Sequence, residues 1–189
     1  MDTAMDVRTQ TLLDEGDKAR REERLDDAAR AFAAAVDHCR DRNAPGDLAL
    51  ARRARIARDR HHYPAAARDQ EDAVAILRQE GDPLRLAHAL RHLGDICHDA
   101  GHHADAAPHY VEMLNIYRAH DTPPLEMANA IRSVAVHHQT LGERERARAL
   151  WTEARERYAA LDDLFERLTG KRENPSVAEA DRRLALLEN

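Results

Sequence analysis

Apolar residues recur three and four positions apart along nearly the whole 189-residue chain, and no run of β-branched residues breaks the rhythm. That period lays one apolar stripe along each stretch and predicts helix from end to end. The interruptions mark where helices stop. Asp82 and Pro83 supply an N-cap and a first-turn proline, while Gly101 and Gly142 suit the left-handed residue that ends a helix. Gly46 with Asp47, and Thr122 with Pro123 and Pro124, punctuate longer connections. The pattern therefore predicts helices over 6–22, 25–42, 47–60, 64–80, 84–100, 103–120, 124–141 and 143–168.

These helices repeat in pairs. "RLDDAARAFAAAV", "HYPAAARDQEDAV", "HHADAAPHYVEML" and "ERERARALWTEAR" align on Ala28, Ala66, Ala106 and Ala147, at spacings of 38, 40 and 41 residues. A near-constant period of this size is the mark of a helical repeat array. After Leu161 the period stops and "PSVAEADRRLALLEN" begins a last helix. There Ser176 and Glu179 have capping-box spacing, and Val177, Ala180, Leu184 and Leu187 form one apolar stripe. The stripe is expected to cover the open end of the last pair, or else to dock onto a second copy and form a homodimer.

The third repeat carries Leu90, Leu93, Gly94, Cys97, Gly101, Ala106, Tyr110 and Met113, and the fourth Ile131, Val134, Ala135, His138, Gly142, Ala147, Trp151 and Ala154. This succession of large, small, turn, small and aromatic positions resembles the tetratricopeptide repeat (TPR). The resemblance covers about residues 9–160 and is strongest in the last two repeats. Earlier, Glu15 and Arg53 stand where a large apolar residue is expected, and Gln70 replaces the aromatic. The proline usual at the end of the second helix is missing, as in the longer-period variety of kinesin light chains and many bacterial regulators. The resemblance implies an all-α, right-handed TPR-like α-solenoid of four helix pairs with a C-terminal capping helix. The repeat array would span 1–160, in repeats of about 6–46, 47–83, 84–123 and 124–160, with 161–189 as C-terminal extension and cap. His138, at an apolar repeat position, would be an interior histidine.

Composition narrows the function classes. Hydrophobic residues make up 43% of the chain but aromatics only 4%, so alanine and leucine must supply most of the buried surface. A formal charge of −6 gives no general attraction for nucleic acid. The longest apolar run, "AFAAAV", is far too short to span a membrane, and "MDTAMDVRTQ" lacks the basic and apolar regions of a secretory signal. Cys39 and Cys97, without a CxxC, suit a reducing compartment, and the expected location is cytoplasmic. No GxSxG, GxxxxGK or glycine-rich loop is present, so the expectation is a non-enzyme without a cofactor.

In the resembled family the first helix of each pair lines a concave groove, which assigns the groove residues here. They are Gln10, Leu13, Asp14, Asp17 and Arg20, then Leu48, Arg52, Arg55, Arg58 and Asp59. The third repeat adds His88, Arg91, His92, Asp95, His98 and Asp99, and the fourth Asn129, Arg132, Ser133, Val136, Gln139 and Thr140. The middle of that groove is basic, and arginine meets carboxylates in a two-pronged geometry, so the expected partner is an acidic protein or peptide. An adaptor or scaffold is the implied role, with Arg52, Arg55, Arg58, His88, Arg91, His92, Asp95, Asn129 and Arg132 as its contact residues. Neither Leu13, Asp17, Arg52, His88 and His92 nor, one repeat on, Ala51, Arg55, His92, Asn129 and Ser133 reproduces the carboxylate clamp by which some relatives hold a chaperone's acidic tail.

The histidines raise a rival reading. His88, His92, Asp95 and Asp99 follow a 4, 3, 4 spacing along one helical stripe, and an i, i+4 histidine pair with an aspartate can hold zinc or nickel. An exposed polar stripe facing a peptide is the plainer account. His61, His62, His102 and His103 fall at turns and are expected on the surface. Charging of His88 and His92 would strengthen acidic-peptide binding below roughly pH 6.5.

Overall fold

The computed structural model describes residues 6–188, which divide into two compact units, Met1–His102 and His103–Asn189. The first holds α1 (Val7–Arg21), α2 (Leu25–Asp41), α3 (Asp47–Asp59), α4 (Tyr63–Glu80) and α5 (Pro83–Asp99). The second holds α6 (His103–Ala119), α7 (Pro124–Thr140), α8 (Arg144–Ala159), α9 (Asp162–Thr169) and α10 (Pro175–Leu186). Among the described residues every element is a helix, and no helix is long and apolar enough to cross a membrane.

The helix ends show why the sequence punctuates where it does. The Asp82 carboxylate accepts the Arg85 N–H at 3.0 Å with Pro83 opening α5, as predicted, and Asp6 caps α1 through the Thr9 N–H. Gly101 and Gly142 take φ of +81° and +74°. Where no glycine was available in the first unit, Glu23, Asn43 and His61 adopt positive φ after α1, α2 and α3. At Glu23 and His61 this costs about 1–2 kcal/mol each, which the surrounding packing must offset, whereas asparagine tolerates the region more readily.

In the first unit each helix packs against its neighbour in sequence, from α1 through α5. Leu12, Leu13, Ala28, Phe32, Ala35, Val36, Ala49, Leu50, Ile56 and Ala73 form its main core. Two of the three departures from the repeat pattern, Gln70 and Arg53, are resolved by polar pairing. Gln70, 1% exposed, donates from Nε2 to the Ala89 carbonyl at 3.0 Å and so ties α4 to α5. Arg53 meets Asp69 with two hydrogen bonds of 2.7 Å across α3 and α4.

In the second unit α6 packs on α7, α7 on α8, and α10 on α8. Trp151 is fully buried and donates from Nε1 to Gln139 at 2.9 Å. The helix predicted over 143–168 is broken at Ala160 and Leu161. A continuous helix would give the Tyr158 carbonyl to the Asp162 N–H. Instead it accepts the Leu161 N–H at 3.0 Å and the Asn174 side-chain amide at 3.3 Å. That amide also donates to Asp162 at 3.0 Å. The capping box expected at Ser176 and Glu179 does not form either. Asn174 caps α10 by accepting the Ser176 N–H, Pro175 takes the first position, and Glu179 is drawn away to Arg132. The predicted stripe does face inward, with Ala180 and Leu187 buried and Val177 and Leu184 half-buried.

His138 is not the interior histidine. It is half-buried and pairs through Nδ1 with Glu143 at 2.8 Å, whereas His137, one residue earlier, is 3% exposed and lies edge-on to Tyr110.

At Gly16 α1 lies hard against α2: a Cβ there would fall 2.4 Å from the ring of Phe32, which has no exposed surface. Gly16→Ala should therefore destabilise the protein by about 1–3 kcal/mol, read by urea denaturation, even though alanine is the better helix former. A neutral or stabilising result would mean that α1 and α2 are not in close contact at this point.

Candidate functional site

The predicted contact residues separate into two groups. Arg52, Arg55 and Arg58 on α3 and His88, Arg91, His92 and Asp95 on α5 all lie in the first unit. Helical spacing of three and four puts Arg52, Arg55 and Arg58 along one stripe, and likewise His88, Arg91, His92, Asp95 and Asp99. Leu13 and Ser133, assigned to the same face by the repeat, are buried instead.

Side-chain pairs tie α1, α3 and α5 together. Arg52 on α3 pairs with Asp17 on α1. Asp59 on α3 receives Arg20 of α1 at 3.5 Å. Arg58 bonds to Asp99 of α5 at 2.7 Å and lies 3.8 Å from Asp95, which Arg91 also approaches at 3.8 Å. At the other end of the helices Arg85 of α5 pairs with the buried Asp47 that opens α3. The face is thus a ladder of alternating charge rather than a uniformly basic strip. Asp17, Asp59, Asp95 and Asp99 each already hold an arginine.

Arg55 stands apart. It is exposed and, among the described residues, makes no hydrogen bond or ion pair. Desolvation, then the like charge of Arg20, opposed by Asp59 and reinforced by Arg52 and Arg58, holds its guanidinium below the ordinary arginine value.

On α5 the His88 and His92 rings lie edge to face with centroids 4.6 Å apart, and Arg91 donates to His92 Nε2 at 3.4 Å. His88, His92 and Asp95 do not bring three ligand atoms within 4.8 Å of one another. As expected, His61, His62 and His102 are exposed; His103 is half-buried. Burial first, then the charges of Arg91, His88, Arg58 and Arg55, push His92 well below its ordinary value of 6.5. The ring therefore stays neutral where charging was expected to strengthen binding, and His92 supplies no switch near pH 6.5.

Asn129 and Arg132 sit on α7 in the second unit, and both are engaged from within it. Asn129 accepts the Tyr158 hydroxyl proton of α8 at 2.8 Å. Arg132 holds Glu179 of α10 through two bonds of 2.7 Å. More contacts fasten α10: Arg144 and Arg148 donate to the Leu187 carbonyl at 2.8 and 2.9 Å, and Arg183 lies 5.8 Å over the Trp151 ring. Glu179 is the partner that sequence reasoning missed. Its spacing from Ser176 suggested a local cap, and nothing local signals a pair 47 residues apart.

The neutral His92 makes a measurable difference. Above its ordinary value of 6.5 folded and unfolded states both hold it neutral; below that value the unfolded chain gains a proton that the folded one does not, so His92 lowers stability as pH falls. In an NMR titration its ring signals should remain those of a neutral imidazole through the region around pH 6.5, and a midpoint there would contradict the burial argument.

No family model matches the sequence, and no curated protein matches it. Solved structures do. The nearly identical TPR-like repeats of a Podosopora anserina chain assigned as a kinesin light chain give a TM-score of 0.73 at 14% identity, over 97% of this chain and 87% of that one. BtubC (BKLC) from P. vanneervenii gives 0.65 at 16% identity, over 98% and 84%. MamA protein gives 0.58 at 17% identity, over 96% and 92%. The chain therefore has the all-α fold of the TPR-like α-solenoids over nearly its whole length.

Proposed function

We propose that the protein is a non-catalytic adaptor or scaffold that binds a protein or peptide along the face built by α1, α3 and α5. In this reading residues 1–160 form the repeat array, 161–189 its extension and cap, and the first helices line a concave groove. The observation that carries it is the charge ladder. Three successive first helices present a continuous polar surface, joined by Arg52–Asp17, Arg20–Asp59 and Arg58–Asp99, that lies outside the apolar core. Such pairs at the surface add little to stability, about 0–1 kcal/mol each, so their value lies in holding side chains in place for recognition. The fold shared with kinesin light chain repeats, BtubC and MamA supports an interaction role in general terms.

The groove is not uniformly basic, because most of its arginines already hold an aspartate of the same chain. An acidic partner remains favoured at Arg55. Arg132 is removed from the contact set while α10 stays docked.

A chain carrying Arg52→Glu, Arg55→Glu and His92→Glu should lose a partner that the wild-type protein retains from its native extract, with no effect of chelator on the wild type. Retention by both would move recognition off this face, and α9 is then the next surface. It has no buried residue, and its Leu164 and Leu168 are 44% and 76% exposed, as a self-assembling or partner-docking helix requires. Loss with chelator alone would favour a metal-dependent role.

A further inference from the structure

We infer that Arg55 is the anchor of this face and that it takes a side-chain carboxylate from an acidic peptide. The inference rests on the proposed role of the α1, α3 and α5 face and names the contact at its centre. Arg52 and Arg58 flank Arg55 by three residues on either side, and each already holds a carboxylate, Asp17 and Asp99 respectively. Asp59, four residues on, is shared with Arg20 at 3.5 Å. Arg55 is left exposed, without a hydrogen bond or ion pair among the described residues, in a neighbourhood crowded by Arg20, Arg52 and Arg58. Asp59 is the one carboxylate of this face that offsets the charge of Arg55, and it also pairs with Arg20, so the Arg55 guanidinium keeps donors for a carboxylate from outside the chain. An incoming carboxylate relieves the repulsion and uses donors that nothing else occupies.

The nature of the ligand group is indicated within the same chain. On α7, Arg132 is also a first-helix arginine, 80 residues beyond Arg52 and so two repeats on. It is met by the Glu179 side chain of α10 through two 2.7 Å bonds. A glutamate presented by a helical segment is therefore a group that a first-helix arginine of this protein does accept. Phosphate or a peptide C-terminus offers similar oxygen chemistry, and the test separates them.

The full chain, with its arginine side-chain Nε–Hε signals observed by NMR, is titrated with an acetylated and amidated octapeptide containing two central glutamates. Parallel titrations use the same peptide with glutamine in their place, that glutamine peptide with a free C-terminus, and inorganic phosphate. The capped glutamate peptide should shift the Arg55 signal saturably, and the other three should not. Arg55→Gln should weaken that binding by about tenfold, the range of one charge-assisted hydrogen-bonded contact. Arg68→Gln, an exposed arginine of α4, should leave it unchanged. Equal binding by the glutamine peptide, a requirement for the free C-terminus, an equal response to phosphate, or no shift at millimolar peptide overturns the inference. If the peptide shifts Arg52, Arg58 or His92 but Arg55→Gln binds as tightly as wild type, the anchor fails and the face survives. Shifts confined to residues outside α1, α3 and α5 remove both.

Discussion

Ala28, Ala66, Ala106 and Ala147 have no exposed surface, and each stands near the start of the second helix of a sequence repeat. A methyl group is the largest side chain such a position admits when two helices approach closely, and Gly16 under the Phe32 ring is the extreme case. Large side chains then have to pack beside the crossing: Phe32 in the first unit, Trp151 and Tyr158 in the second. Because the helices meet through these small and aromatic positions, the remaining stripe of each first helix is left to polar residues. The charge ladder on α1, α3 and α5 is a consequence of that division of faces.

The two units use their first helices differently. In the first, α3 is tied by arginine–aspartate pairs to α1 and to α5, and Arg55 makes no such pair among the described residues. In the second, α10 comes back over α8 and places Glu179 on Arg132 of α7, so the chain answers its own arginine. Both arrangements follow one rule of surface chemistry. An exposed guanidinium gains little from a carboxylate in water, but a set of such pairs held in register fixes geometry and excludes mismatched partners.

Much of this was legible in sequence because it is local. The three- and four-residue period, Asp82 with Pro83, and Gly101 and Gly142 depend on residues within a turn of one another, and helix ends fell within one or two residues of expectation through α7. The repeat of about 40 residues then gave the pairing of helices and the TPR-like fold. Contacts between residues far apart were not legible. Asp17 with Arg52, Arg58 with Asp99 and Arg132 with Glu179 join positions 35, 41 and 47 residues apart, so helical phase told which face each residue occupies but not which charge it meets. The break at Ala160 has the same origin, since the competing donor to Tyr158 is Asn174. His137 and His138 differ by one position, about 100° of helix, and the repeat aligned the half-buried one. The charge of His92 was misjudged because burial and the surrounding cations are tertiary facts.

On α3 Arg52 and Arg58 hold carboxylates, whereas Arg55, among the described residues, makes no hydrogen bond or ion pair. The most direct measurement is the rate of guanidinium rotation for each arginine by nitrogen-15 NMR in the free protein, without any ligand. Arg52 and Arg58, held by Asp17 and Asp99, should rotate slowly about the Nε–Cζ bond and show separate terminal nitrogen signals. Arg55 should rotate freely and give one averaged signal. A restrained Arg55, or three arginines that behave alike, would contradict the account, because the face would then hold no vacant cation for a partner to meet.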